Sequence, residues 1–275
     1  YIEMSEKDFL QDQGDARTIR MERINAHRGM ILDRRDNPLA VSSPVVSLWA
    51  NPSELPDDLQ SLTELSTGLG VSVDEFTLKM RRAESRNFVY LRRRAKPSEA
   101  DAILSLGLPG VYGEKEHHRF YPGGEIAAHV VGFTNIDDVG QEGLELTYDD
   151  WLKGVPGRRQ VMKDRRGHII EELNTIQTAQ PGKNLELSID FRLQSIAYRE
   201  LKEEFIKRRA KAATVVVLDV DSGEVLAMAN QPSYNPHNKA NMTDFSVLRN
   251  RAITDVFEPG STVKAFTIAA ALESG

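Results

Sequence analysis

Near its C-terminal end the chain carries Ser261 and Lys264 in a Ser-x-x-Lys arrangement, followed by an almost wholly apolar run over residues 265–272. Pro259 suits the entry to a helix, and Gly260 permits a tight turn there. Ser261 is therefore expected in the first helical turn, where free backbone N–H groups and the helix dipole favour a developing oxyanion. Lys264 falls on the same face, so its amine can take the Ser261 proton. This pattern predicts an acyl-transfer nucleophile and its base on a buried helix.

A second interpretation of Ser-x-x-Lys is that Ser261 caps a helix and Lys264 is solvated. A lysine acts as a base only when it is neutral, and burial favours the neutral form. The apolar neighbours that predict such a dry setting are Val263, Ala265, Phe266, Ile268 and Ala269. A Walker A phosphate loop is excluded, because the chain contains no G-x-x-x-x-G-K-[ST] sequence.

The segment before this helix favours the catalytic interpretation. Residues 214–220 and 224–229 are predicted to form two strands joined by a tight turn at residues 221–223. The near-continuous apolar run at residues 215–218 predicts a strand covered on both faces. A β-hairpin, a loop rich in Pro and Asn, and a helix with Ser-x-x-Lys follow one another in the order in which penicillin-recognising serine enzymes begin.

Four boxes of charged residues and glycines precede this hairpin. They are Arg28-Gly29-Met30-Ile31-Leu32-Asp33-Arg34 with Leu39-Ala40 after it, Arg119-Phe120-Tyr121-Pro122, Gly140-Gln141-Glu142-Gly143-Leu144-Glu145, and Lys163-Asp164-Arg165-Arg166-Gly167. In this order, ahead of Ser-x-x-Lys, they resemble the boxes of the class B penicillin-binding proteins, with Asn37 where a glycine often stands. The resemblance runs along nearly the whole chain. Residues 47–52, 132–135 and 253–261 point to the division-specific branch of that family.

The boxed residues are interpreted as structural and interdomain positions. Charged groups of this kind form buried networks that specify a geometry even where their net stabilisation is small. The positions assigned are Arg28, Gly29, Asp33, Arg34, Arg119, Tyr121, Pro122, Glu142, Gly143, Glu145, Asp164 and Arg165. The catalytic alternative is a paired-carboxylate glycosidase that uses Glu142 and Glu145, since their i, i+3 spacing suits one helical face. Nothing in the nearby sequence suggests a sugar cleft.

The expected fold class is a multidomain α+β protein. Residues 1–183 are predicted to form a mixed α/β pedestal, and residues 184–275 the start of a penicillin-binding transpeptidase domain of serine β-lactamase type, which is truncated after the Ser-x-x-Lys helix. Strands are predicted at residues 18–24, 45–49, 88–91 and 185–189, and a linker at residues 175–183. One helical face is expected from Leu55, Leu59, Leu62, Leu65 and Leu69, a second from Val73, Phe76 and Met80, and a third from Leu193, Ala197, Leu201 and Phe205 after an Asp190 cap. A short helix is expected to start at Ser98 and to stop at Gly107.

Composition narrows the classes of function. Hydrophobic residues make up 40% and charged residues 28% of the 275 positions, which indicates a globular protein. A net charge of −6 gives no support for nucleic-acid binding. The chain has no cysteine, and its six histidines lack a ligand pattern, so neither thiolate chemistry nor a metal site is expected. The resemblance implies no cofactor.

The resemblance implies a periplasmic enzyme at the division septum. Its parent would be a peptidoglycan D,D-transpeptidase that forms an acyl-Ser261 intermediate with stem peptides ending in D-Ala-D-Ala and is acylated by β-lactam antibiotics. Expected partners are a membrane glycan polymerase of the FtsW type and other division-complex proteins. No segment approaches the ~20 apolar residues of a membrane span, and the resemblance implies that one transmembrane helix precedes residue 1 and anchors the protein in the inner membrane.

Two motifs of the family are missing from this chain. No K-[ST]-G is present, and Ser233-Tyr234-Asn235 is rejected as the S-x-N motif because it precedes Ser261 instead of following it. The chain alone is therefore expected to be inactive. Two alternatives for its function stay open: a non-catalytic pedestal that docks membrane partners of the division machinery, and a sensor that β-lactams acylate without turnover.

Overall fold

The computed structural model describes residues 19–163, 169–238 and 243–275. Its strands are β1 Ile19–Ile24, β2 Ile31–Leu32, β3 Pro38–Ala50, β4 Val89–Ala95, β5 Val111–Phe120, β6 Phe133–Thr134, β7 Gly140–Glu142, β8 Gly157–Lys163, β9 Ile169–Gln177, β10 Leu185–Glu186, β11 Ala213–Leu218 and β12 Val225–Gln231. Its α-helices are α1 Leu59–Leu69, α2 Val73–Arg82, α3 Pro97–Leu104, α4 Ala128–Val131, α5 Gly143–Thr147, α6 Asp149–Leu152, α7 Phe191–Lys207, α8 Arg251–Thr254 and α9 Lys264–Ser274. The predicted mixture of strands and helices is confirmed.

The long strand β3 organises the N-terminal part of the molecule. It pairs with β5 in an antiparallel register from Val41 opposite Phe120 to Ala50 opposite Val111. Its other edge pairs first with β2 and then, from Val46 onward, with β4. Pro44 lies between these two stretches, where its missing N–H group costs no ladder hydrogen bond. One strand therefore links the box at residues 28–40 to the box at residues 119–122.

Three helices cover one face of this sheet. Asp58 caps α1 by accepting from Ser61 N at 2.8 Å, and Ser72 caps α2 by accepting from Glu75 N at 3.2 Å. The core between the helices and the sheet contains Val46, Leu48, Leu65, Leu69, Phe76, Met80, Ala95, Ala100 and Ile103. The predicted apolar faces of α1 and α2 are thus confirmed in their central residues.

Several predicted element ends are wrong. Leu59 opens α1 and is 72% exposed, and Leu55 lies before that helix. The third helix begins at Pro97, which suits the first helical position, and it has no side-chain cap, because the residue before it is Lys96, whose side chain cannot accept a hydrogen bond. The strand predicted at residues 185–189 is formed only by β10, which pairs in parallel with β2.

A separate three-stranded sheet has the order β1-β8-β9. The predicted strand at the N-terminus is confirmed from Ile19, and Thr18 lies outside the described residues. The predicted linker at residues 175–183 is too long, because Thr175 still pairs with Arg159 and β9 continues to Gln177. The proposed domain boundary between residues 183 and 184 stays a prediction.

The C-terminal part begins with α7 and the antiparallel hairpin of β11 and β12. Asp190 caps α7 as predicted, accepting from Arg192 N at 3.0 Å. The buried side chains of α7 are Gln194 and Tyr198, so the predicted face is displaced by one position. The prediction that β11 is covered on both faces is wrong for this chain, because Val216 and Leu218 are 42% and 55% exposed. In the described ranges, no helix is long and apolar enough to cross a bilayer.

Gly29 is required by close backbone packing against α6 and the segment that leads into β10. Its N–H donates to Leu152 O at 2.8 Å, and a Cβ at this position would lie 2.0 Å from Lys183 O. Both neighbours are backbone atoms, which cannot move as a flexible side chain does. Alanine here would push residue 29 away from Lys183, in the segment that leads into β10.

We expect Gly29→Ala to lower the free energy of unfolding by about 3 kcal/mol, the upper part of the range for overpacking a tight site. Gly68→Ala is the matched control, because its new Cβ would meet only the side chain of Ile103, at 3.2 Å. The control should change stability by about 1 kcal/mol or less. Denaturant unfolding of both variants measures this, and equal stability of the two would contradict the packing argument.

Candidate active site

Ser261 lies in the first turn of the C-terminal helix. A 3₁₀ turn spans Gly260–Val263, and α9 begins at Lys264. Gly260 has a φ of +58°, a left-handed conformation that glycine adopts without strain, and it aims the chain into the helix. The predicted positions of Pro259, Gly260 and Ser261 at a helix entry are therefore confirmed. The backbone N–H of Lys264 donates to the carbonyl oxygens of Ser261 and Thr262, while the Ser261 hydroxyl and the Lys264 amine form no side-chain hydrogen bond with the residues that the structure describes.

The predicted dry setting around Lys264 is wrong for this chain. Phe266, Ile268 and Leu272 are 75%, 60% and 79% exposed, and α9 contains no buried residue. The physical reason is that no other described element packs against the apolar side of α9. The helix presents the nucleophile, but the described residues do not supply the burial that would favour a neutral lysine.

The segment that leads to Ser261 is tied to the rest of the molecule. Asn230, which is fully buried at the end of β12, accepts from Ala252 N at 2.8 Å and donates to Asn250 Oδ1 at 2.9 Å. On the pedestal side, His129 Nε2 lies 2.8 Å from Val247 O. Burial lowers the pKa of His129, which keeps its ring neutral and makes Nε2–H the donor. These contacts hold residues 247–252 between the pedestal and the hairpin.

The first box and the third box meet at one buried carboxylate. Glu145 is completely buried, and its Oε2 lies 2.7 Å from Arg28 Nη2 while its Oε1 accepts from Arg119 Nε at 2.7 Å. Arg28 Nη1 also donates to Asp149 Oδ1 at 2.8 Å and to Asp138 O at 2.9 Å. Despite the cost of burial, the pKa of Arg28 is raised, because Glu145 and Asp149 stabilise its charge. The structure thus brings together three predicted positions that are far apart in the sequence.

Asp33 is the centre of a second network. Its carboxylate accepts from Arg35 N and Asn37 N at 2.8 Å each and from Asn37 Nδ2 at 2.9 Å, and it also accepts from Phe191 N at 3.1 Å. Burial raises the pKa of this carboxyl group, but these hydrogen bonds outweigh burial and lower it. Asn37 therefore closes the turn where related sequences often have glycine. The bond to Phe191 connects the first box to the start of α7.

The other predicted positions fall into three settings. Tyr121 is buried, its hydroxyl accepts from Thr134 N at 2.8 Å, and burial together with the Glu145 charge raises its pKa. Arg34 forms an exposed 3.5 Å contact with Glu224, and Pro122 is exposed. Gly143 has a φ of +59° and would place a Cβ 2.7 Å from Gly132 N.

Two predicted site residues, Asp164 and Arg165, lie outside the described residues. The shared helical face proposed for Glu142 and Glu145 is not formed. Glu142 ends β7, whereas Glu145 is in α5 and is held by two arginines. A pair of carboxylates working on one sugar has no support from this geometry.

No pattern in the sequence marked the residues that join α7 to the pedestal. Gln194 is 1% exposed, and its side-chain amide donates to Ile126 O at 2.7 Å and to Met228 O at 2.8 Å, while its oxygen accepts from Met228 N at 2.7 Å. Glu125 accepts from Tyr198 Oη at 2.6 Å and from Lys202 Nζ at 2.9 Å. These two contacts lower the pKa of Glu125. A glutamine on a helix is usually exposed, so only the folded contacts identify its role.

A cavity of about 610 Å³ lies at the same junction. Its lining includes Glu142 and Leu144 from the pedestal and Leu187 from the segment after β10. Met228 and Leu248 line it from the C-terminal part. Within residues 19–163, 169–238 and 243–275, no group of three or more His, Asp or Glu side chains is placed to hold a metal ion. The predicted absence of a metal and of a cofactor stays a prediction.

Comparison with protein families assigns both parts of the chain. The penicillin-binding protein dimerisation domain matches residues 23–187, and the penicillin-binding protein transpeptidase domain matches residues 213–275. The resemblance drawn from the boxes is thereby confirmed: the chain belongs to the class B penicillin-binding proteins, with a dimerisation domain and part of a transpeptidase domain.

Curated relatives support the same assignment. Over its whole length the chain is 43% identical to the peptidoglycan D,D-transpeptidase FtsI of Escherichia coli (strain K12). It is 42% identical to the probable peptidoglycan D,D-transpeptidase PbpC of Pseudomonas aeruginosa and 42% identical to the probable peptidoglycan D,D-transpeptidase PenA of Neisseria gonorrhoeae. The chain spans 47–48% of these relatives, about half of their length.

Solved structures show the same fold. Penicillin-binding protein 2X from Streptococcus thermophilus superposes with a TM-score of 0.70 over 92% of this chain and 41% of that chain, at 24% identity. A peptidoglycan synthetase from Bifidobacterium adolescentis superposes with a TM-score of 0.60 over 92% of this chain and 50% of that chain, at 22% identity. The predicted fold class is confirmed.

We expect Glu145→Gln to lower the free energy of unfolding by about 3–5 kcal/mol, because it removes the counter-charge of buried Arg119 and one of the two carboxylates that pair with buried Arg28. Glu204→Gln is the control, since its carboxylate is exposed and pairs only with Lys207 and Arg208. Chemical denaturation should show a large loss for Glu145→Gln and little change for the control. Similar small losses in both would mean that the buried carboxylate does not hold the pedestal.

The depressed pKa of Asp33 predicts a pH-dependent contribution to stability. The unfolded group titrates near ~3.9 and the folded group titrates lower, so the contribution is complete above the unfolded pKa and is lost as the pH falls through the folded pKa. The difference in unfolding free energy between the wild type and Asp33→Asn should be largest near neutral pH and should shrink below about pH 4. Denaturation at several pH values measures it, with exposed Asp101→Asn as the control. A difference that is constant with pH would refute this assignment.

Proposed function

We propose that this chain supplies the pedestal and the acylated serine of a septal peptidoglycan D,D-transpeptidase. The observation that carries the proposal is the position of Ser261 in the first helical turn after Gly260, with Lys264 at the start of α9. The relatives named as peptidoglycan D,D-transpeptidases and the match to a transpeptidase domain support it.

The proposed reaction is an acyl transfer in two steps. Ser261 Oγ attacks the carbonyl carbon of the penultimate D-Ala of a stem peptide, and Lys264 takes the hydroxyl proton. The C–N bond to the terminal D-Ala breaks, and that residue leaves with a proton. An amine of a neighbouring stem then attacks the Ser261 ester, forms the cross-linking amide and restores the serine hydroxyl. A β-lactam would acylate the same oxygen and remain attached.

Free N–H groups at the start of the helix suit the oxyanion of this reaction. The remaining requirement is a dry setting for Lys264, which the described residues do not provide. We infer that the rest of the full-length protein covers the apolar side of α9. It would also supply the S-x-N motif, with a second serine beside Ser261, and the K-[ST]-G motif, which would hold the substrate carboxylate. The 275-residue chain alone is therefore expected to have no efficient turnover.

The pedestal is proposed to carry the protein–protein contacts of the division complex. Arg119 and Glu145 are buried, so they hold the fold and cannot themselves dock a partner. Ile136 and Val139 are 52% and 46% exposed beside the Arg28 network and suit a docking surface. Contact with a membrane glycan polymerase, a periplasmic location at the septum, and anchoring by a preceding transmembrane helix belong to this proposal.

We expect benzylpenicillin to add one covalent mass to the full-length protein and none to Ser261→Ala. The reason is that Ser261 is the only serine of the sequence with a lysine three positions after it, and it lies in the turn that leads into α9. Intact mass spectrometry before and after exposure measures the adduct. Ser222→Ala, which changes an exposed serine in the β11–β12 turn, is the matched control and should be acylated like the wild type.

The rate of acylation distinguishes Lys264 from a solvated helix residue. Lys264→Ala should slow adduct formation by roughly 10²–10⁴-fold, the usual contribution of a positioned base. Lys207→Ala, which changes an exposed side chain at the end of α7, should leave the rate unchanged. Absence of an adduct on well-folded wild-type protein would instead favour the scaffold, and an adduct without any turnover of a D-Ala-D-Ala substrate would favour the sensor.

A further inference from the structure

The junction cavity has the size and lining of a small-molecule site. Its volume of about 610 Å³ falls within the ~300–1,000 Å³ typical of ligand pockets. Apolar side chains come from all three of its walls: Leu144 from α5, Leu187 from the segment after β10, and Met228 and Leu248 from the C-terminal part. A molecule bound here would therefore touch the pedestal and the catalytic part at once.

The charges that line this cavity are unbalanced. Glu142 and Glu186 both contribute to its lining, and in the described chain no side chain or backbone group forms a salt bridge or hydrogen bond with either carboxylate. Arg249 also lines the cavity, but its guanidinium is already paired with Asp255. Two uncompensated carboxylates beside an apolar wall select a ligand with one cationic end.

Three other polar side chains in the wall are already hydrogen-bonded within the protein. His129 bonds to Val247 O, Tyr234 donates its hydroxyl proton to Ala128 O at 2.8 Å, and Asn250 is bonded to Asn230. None of them is needed for a ligand, and they keep the wall rigid. Specificity would therefore come from the two carboxylates and from the apolar surface of the wall.

We propose that this cavity is a binding site for an amphipathic amine. The ammonium group lies against Glu142 and Glu186, and the apolar body lies against Leu144, Leu187 and Met228. Neither Ser261 nor Lys264 lines this cavity. Because the ligand bridges the two parts of the chain, its binding stabilises their junction.

Three probes with one apolar body test the charge preference: n-octylamine, n-octanol and n-octanoate, each below its micelle-forming concentration. Isothermal titration calorimetry with the full-length protein at neutral pH should show n-octylamine binding at least about tenfold more tightly than n-octanoate, as a charge-assisted contact predicts. The melting temperature should rise with n-octylamine concentration, since the ligand binds only the folded state.

The double variant Glu142→Gln/Glu186→Gln should bind n-octylamine about tenfold more weakly and keep its affinity for n-octanol. The control Glu64→Gln/Glu75→Gln removes two exposed carboxylates from α1 and α2 and should bind like the wild type. Thr147→Trp, at an exposed edge of the cavity, should weaken all three probes. Equal affinity for the three probes, no binding by the wild type, or an equal loss in the control would overturn the proposal. Because no step depends on acylation, failure of the Ser261 experiment would leave this result unaffected.

Discussion

A single carboxylate, that of Glu145, holds the N-terminal part of the molecule together. One of its oxygens contacts Arg28, which lies 117 positions earlier in the chain, and the other contacts Arg119 on β5. Both arginines and the glutamate are almost completely buried, so none of the three can exchange its partner for water. Loss of Glu145 leaves the buried charge of Arg119 without its ion pair, which is why the network specifies a geometry more strongly than it adds net stability.

The position of the catalytic part depends on contacts that begin close to this network in the chain. Asp33, five residues after Arg28, binds Phe191 N at the start of α7, and Asp190 in turn pairs with Arg35 at 3.0 Å. Further along α7, Gln194 joins the pedestal to β12. From β12, Asn230 holds the segment that leads to Ser261. Hydrogen bonds joined by short stretches of the chain therefore connect the first box to the segment that precedes Ser261.

Local patterns in the sequence predicted most of the elements and the entry of the Ser261 helix, because caps, turns and periodicity act over a few residues. The resemblance placed Arg28, Arg119 and Glu145 among the residues expected in buried networks, but it did not say which of them pair. The local patterns failed where burial depends on distant segments. The apolar residues of β11 and α9 are of the types found in a covered strand and a covered helix. In this structure, however, one side of each element is exposed. Gln194 was missed because its spacing marks it as a solvent-facing helix residue, and only the contacts with Ile126 and Met228 show otherwise.

A double-mutant cycle between Arg119 and Glu145 tests most directly whether the shared carboxylate governs the pedestal. The four proteins are the wild type, Arg119→Met, Glu145→Gln and the double variant, and the measured quantity is the free energy of unfolding. If the two groups act as one unit, the double variant should lose less than the sum of the single losses, with a coupling of about 2–3 kcal/mol. Losses that add to within about 0.5 kcal/mol would show that the two residues act independently and would contradict the account.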